Sequence, residues 1–123
     1  MPSVISQQRV VRYLQSRFNP IRQLTPEESR SLHGVAGVTF LDCREPNEWN
    51  LGRVPGAVFI PRGNLETKVE SAISREQRVV IYCASGNRSA LAAVTLTAMG
   101  YPDAVSMSGG FRGWVQAGGD VEG

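Results

Sequence analysis

Short apolar runs alternate along this chain with segments whose apolar residues recur at helical spacing. Val79, Val80, Ile81 and Tyr82 form the clearest run, continuous and rich in β-branched residues, as expected of a strand buried on both faces of a parallel sheet. Similar runs lie at residues 21–24, 38–41, 57–60 and 104–107, which predicts five strands. Between them, Thr25, Pro26 and Glu28 read as the cap, first position and capping-box acid of a helix that stops near Gly34. A short helical turn is expected through Glu45, Pro46, Asn47, Glu48 and Trp49. Asn64 is placed to cap a helix carrying Leu65, Val69 and Ile73. The Ala-rich stretch from Ser89 to Met99 predicts a fourth helix with Gly100 as left-handed C-cap, and Gly109 and Gly110 open a last one carrying Phe111, Trp114 and Val115. Strands alternating with helices predict an α/β fold: a mainly parallel five-stranded sheet with helices on both faces. Before it, Val11, Leu14 and Phe18 predict a helical extension over residues 1–20, and Gly118 to Gly123 reads as a loose tail.

The punctuation after the strongest strand changes the picture from fold to chemistry. Cys83 ends that strand, and Ala84, Ser85, Gly86, Asn87 and Arg88 follow before the helix begins. A tight loop leading into a helix N-terminus turns backbone N–H groups inward and makes a cradle for an anion. The same field, with Arg88 beside it, favours a thiolate over a thiol, and the thiolate is the nucleophilic form of cysteine. Cys83 is therefore the candidate nucleophile.

Composition narrows what this nucleophile serves. The chain has 123 residues, enough for one domain with a core, and its net charge of +2 gives no argument for nucleic acid or an anionic membrane surface. No apolar stretch is long enough to span a bilayer. Two cysteines make no disulfide framework, and a reactive thiol needs a reducing compartment, which points to the cytoplasm. Arg9, Arg12, Arg17 and Arg22, with no acidic residue before Glu27, leave import into an organelle as the lesser alternative. One histidine, His33, and two separated cysteines match no zinc spacing, so neither metal nor organic cofactor is expected.

Three motifs resemble one family. Leu41, Asp42, Cys43, Arg44 and Glu45, then Glu48, Trp49, Gly52, Pro55, Gly56, Ala57, Ile60 and Pro61, are similar to the N-terminal signature of the rhodanese domain. Tyr82, Cys83, Gly86, Arg88, Ser89 and Ala90 resemble its active-site loop, and Gly109, Gly110, Phe111 and Trp114 its C-terminal signature. The resemblance implies a rhodanese domain over residues 21–121 and a sulfurtransferase that uses no cofactor. Cys83 would take a sulfane sulfur from thiosulfate or a persulfide, carry it as a persulfide, and pass it to a thiol or cyanide. The amides of Ala84, Ser85, Gly86, Asn87, Arg88 and Ser89 would bind the donor and the persulfide. Related phosphatases and arsenate reductases have a loop one residue longer between cysteine and arginine, so the spacing here favours sulfur over an oxyanion. A second alternative is a sulfur-carrier or docking module that exchanges sulfur with protein partners.

Two further pairs carry expectations of their own. Asp42 and Arg44, two apart on an extended chain, are expected to form an ion pair that props the loop. Cys43 ends the second strand as Cys83 ends the fourth, which makes it either a resolving thiol or, by strand alternation, a core residue. Trp49 and Trp114 are expected to pack.

Overall fold

The computed structural model describes residues 22–123. The helical extension expected over residues 1–20 lies outside them. Five strands, β1 (Gln23–Leu24), β2 (Val38–Asp42), β3 (Val58–Phe59), β4 (Arg78–Tyr82) and β5 (Ala104–Met107), form one sheet in the order β1-β5-β4-β2-β3. Every pair of these strands is parallel. Helices α1 (Pro26–Leu32), α2 (Pro46–Leu51), α3 (Leu65–Ala72), α4 (Asn87–Ala98) and α5 (Gly110–Gln116) alternate with them, and a 3-10 turn at Arg62–Asn64 precedes α3.

Alternation along the strands divides the core into two layers. Leu41, Cys43, Val79, Ile81 and Cys83 face α3 and α4, where Leu65, Val69, Ala92, Ala93 and Leu96 cover them. Phe40, Val80, Tyr82, Val105 and Met107 face the other way, onto Leu32, Phe111 and Trp114 of α1 and α5. Burial on both faces is why β4 reads as an unbroken apolar run. The central strand thus brings Cys83 to the carboxyl edge of the sheet, the side on which such sheets bind ligands.

Local signals hold where they have their own partners. Thr25 Oγ1 accepts the Glu28 N–H at 3.1 Å while Glu28 accepts the Thr25 N–H at 2.8 Å, completing the expected capping box. Two expectations are corrected. Asn64 occupies the cap position of α3 without a side-chain capping bond. The tail is not loose: Glu122 exchanges both backbone hydrogen bonds with Arg53, and Trp114 Nε1–H donates to the Asp120 carbonyl at 2.7 Å. Among the described residues no helix is long and apolar enough to cross a membrane.

Asp103 ties one side of the sheet together, accepting from Arg22 at 2.6 Å and from Arg78 of β4 at 2.8 Å. Burial works against its charge, but the two guanidinium groups outweigh it and hold the carboxyl below its ordinary 3.8. A depressed acid stabilises the fold above its unfolded pKa and loses that contribution as pH falls. Asp103→Asn should therefore lower stability by up to about 1 kcal/mol at neutral pH, given the partial exposure of the pairs. The deficit should shrink in denaturant melts as pH falls below the ordinary Asp value and vanish only below the depressed value of Asp103 in the fold.

Candidate functional site

The loop after β4 is shaped by two glycines. Gly86 has φ +100° and is the N-cap of α4, so the helix starts at Asn87, two residues before the predicted Ser89, and Asn87 and Arg88 lie in its first turn. That turn of backbone directs the Gly86 N–H onto Cys83 Sγ at 3.0 Å. From the other side the start of α5 holds the loop: the Phe111 N–H donates to the Cys83 carbonyl at 2.7 Å and the Arg112 N–H to the Ala84 carbonyl at 3.4 Å. Gly110 passes so close that a Cβ there would stand 2.5 Å from the Cys83 carbonyl oxygen.

Cys83 is buried at 1% exposure, Gly86 and Ser89 are buried as well, and Ser85 is exposed at the tip. Ser89 Oγ lies 3.7 Å from Cys83 Sγ, 3.1 Å from the Gly86 carbonyl and 2.8 Å from Ser106 Oγ of β5. Ser106 escaped sequence reasoning, since a lone serine in an apolar strand gives no signal of what it faces.

Arg88 is placed differently from the free loop cation that its position suggests. Its guanidinium is 3.4 Å from Glu48 and 3.9 Å from Glu45, the acids that open α2. Burial opposes its charge, and Glu48, Cys83 and Cys43 outweigh that, so its pKa rises. Glu45 and Glu48 thus reach the loop, which their spacing gave no means to foresee.

Asp42 and Arg44 form a buried pair, 2.7 Å between Nη2 and Oδ2, but on the opposite face from Cys83. Arg44 also donates to the Gly52 carbonyl at 2.6 Å and lies 4.3 Å from the ring centre of Phe111. The pair therefore meets the loop indirectly, through Phe111, whose N–H holds the Cys83 carbonyl, and through Tyr82, which precedes Cys83 and whose ring lies 5.6 Å from the Arg44 guanidinium. His33 is remote, its Nε2–H donating to the Pro55 carbonyl at 2.8 Å while the ring packs edge-on against Phe40 and Trp114.

Cys43 shares a sheet face with Cys83 and sits in the same apolar layer. Its thiol donates to the Tyr82 carbonyl at 3.3 Å, and burial first, then Cys83 and Asp42, push its pKa up. A thiol so held is a poor nucleophile. Cys43 should resist iodoacetamide in the native protein at mildly alkaline pH and react after denaturation, as peptide mass spectrometry would show; native labelling would mean that the layer opens.

Comparison with known proteins places this geometry. A match to the family of the Rhodanese-like domain runs over residues 25–117. The thiosulfate sulfurtransferase GlpE of Tolumonas auensis is 30% identical over 92 residues, covering 75% of this chain and 86% of that protein. The probable adenylyltransferase/sulfurtransferase MoeZ of Mycobacterium tuberculosis is 32% identical over 95 residues, covering 76% of this chain but 24% of the relative, so the chain spans about a quarter of that protein. Among solved structures, RPA3614 of Rhodopseudomonas palustris, described as of unknown function and a possible tyrosine phosphatase, has a TM-score of 0.82 at 33% identity, with 99% of each chain covered.

Proposed function

Because the chain belongs to the rhodanese-like domain family, we propose that it is a sulfurtransferase that carries a sulfane sulfur as a persulfide on Cys83. The observation that carries this reading is the sulfur at the floor of the loop, with the Gly86 N–H directed at it and both sides of the loop held by helix starts. In the first half-reaction Cys83 Sγ attacks the outer sulfur of the donor. The donor's S–S bond breaks, and thiosulfate leaves as sulfite, or a persulfide donor as its thiolate. In the second, a thiol or cyanide attacks the outer sulfur and Cys83 Sγ takes back the electron pair. The amides of residues 84–89 are the binding groups for the donor and the persulfide, with Arg88 adding charge. In this reading residues 21–121 are the catalytic domain, 1–20 an extension, and the reducing cytoplasm the compartment that keeps Cys83 free.

The similarity to GlpE supports thiosulfate as a donor, and the match to a quarter of MoeZ supports sulfur transfer in general. The description of RPA3614 favours an oxyanion hydrolase instead. Against that stands the loop, with four residues between Cys83 and Arg88. Steady-state kinetics with thiosulfate and cyanide should give parallel double-reciprocal lines, as a covalent intermediate requires. Turnover of an aryl phosphate with no sulfur transfer from thiosulfate or a protein persulfide would establish the hydrolase instead.

A further inference from the structure

Ser89 and Ser106 are both fully buried, and their hydroxyl oxygens are 2.8 Å apart beneath Cys83. Each hydroxyl has one proton to donate. Among the described residues, Ser89 is the one hydrogen-bond partner of the Ser106 hydroxyl. If Ser89 donated to Ser106, the Ser106 proton would be left buried without an acceptor, which is costly. The bond therefore runs from Ser106 to Ser89, and the Ser89 proton remains for either the Gly86 carbonyl at 3.1 Å or Cys83 Sγ at 3.7 Å.

Resting on the sulfurtransferase reading above, we propose that Ser106 is a positioning residue: by donating to Ser89 it frees the Ser89 hydroxyl to turn its proton onto Cys83 Sγ whenever that sulfur becomes negative. With Cys83 as a thiol, the S–H points at Ser89 Oγ and the Ser89 proton rests on the Gly86 carbonyl. With Cys83 as a persulfide, the charge sits on the outer sulfur and the arrangement at Sγ is again neutral. When cyanide attacks the outer sulfur, the carbon–sulfur bond forms, the Cys83 S–S bond breaks and the electron pair arrives on Sγ. Ser89 then donates to it. The stabilisation grows as the sulfur leaves, so it speeds discharge. In loading that starts from the thiolate, the same bond is already made and is lost as Sγ attacks, so it gives that step no help.

This asymmetry distinguishes the role from mere packing. Rapid-mixing measurements should separate loading by thiosulfate from discharge by cyanide, with intact-protein mass spectrometry reading the sulfur on Cys83. Ser106→Ala should slow discharge roughly three- to tenfold, the range of an ordinary net hydrogen bond, since Ser106 reaches the charged sulfur only through Ser89, and, at a pH alkaline enough to ionise Cys83 before mixing, should leave loading unchanged or faster. Ser106→Thr, which keeps the hydroxyl, should restore discharge. Ser89→Ala/Ser106→Ala should be no slower in discharge than Ser89→Ala alone, because Ser106 acts only through Ser89. Equal slowing of both half-reactions, no effect on either, or additive losses in the double variant would overturn the proposal while leaving the sulfurtransferase reading intact. A parent protein that gains no sulfur from any donor would overturn both.

Discussion

Arg44→Ala is expected to lower stability by about 3–5 kcal/mol, the cost of breaking a buried ion pair from one side. Asp42 is completely buried, and its carboxylate takes hydrogen bonds from the Arg44 backbone N–H and guanidinium, with the Tyr82 hydroxyl as a neutral neighbour. Truncation leaves a buried charge uncompensated, strips the Gly52 carbonyl of its donor and removes the group stacked on Phe111. For a domain of this size the loss is a large share of the total, and should lower Tm by on the order of 20 °C. Asp42→Leu/Arg44→Met removes both charges together and should recover part of the loss, since what is expensive is the orphaned partner. Thermal and denaturant melts of the three proteins check this; a single variant within about 1 kcal/mol of the parent would mean that water reaches Asp42.

Gly110→Ala should damage the sulfur site more than the fold. The added methyl would meet the Cys83 carbonyl oxygen at 2.5 Å and the Ala84 carbonyl carbon and oxygen at 2.6 Å, all of them backbone. Nothing there can rotate away, so either the loop or the start of α5 has to move, straining the bonds from the Phe111 and Arg112 N–H groups to the Cys83 and Ala84 carbonyls that join them. Misplacement of a reacting group by an ångström is enough to cost on the order of a hundredfold in rate. Sulfur loading should fall at least tenfold, with a stability loss of about 1–3 kcal/mol. Gly34 separates the contact from the backbone strain, having φ +82° and nothing within 4 Å of a built Cβ. Gly34→Ala should therefore cost stability alone and leave loading as in the parent.

These two residues also mark where sequence reasoning stops. The apolar run of β4, the capping box at Thr25 and the loop headed by Cys83 were legible because each is written in adjacent residues whose period or cap chemistry is local. All five strands were found that way, and the sheet is the parallel one expected, with β1 and β3 shortened to two residues each. What escaped depends on residues distant in sequence. The helix α4 starts two residues before the predicted Ser89, because the left-handed Gly86 caps it while Asn87 and Arg88 carry no helical pattern in the sequence. Ser106 reaches Ser89 across 17 positions and Glu48 reaches Arg88 across 40, contacts set by strand order and helix placement. The ion pair at Asp42 and Arg44 was legible as a pair, but its face was not, so its link to the loop through Phe111 emerges only from the packing.

The persulfide on Cys83 is the claim on which the rest depends, and intact-protein mass spectrometry tests it most directly. Reduced parent and Cys83→Ser are each incubated with thiosulfate or a protein persulfide, then with cyanide or a thiol. The account predicts that the parent gains the mass of one sulfur and loses it to the acceptor, while Cys83→Ser gains none. A parent that stays unmodified with every donor, or a Cys83→Ser variant that still takes up sulfur, would contradict it.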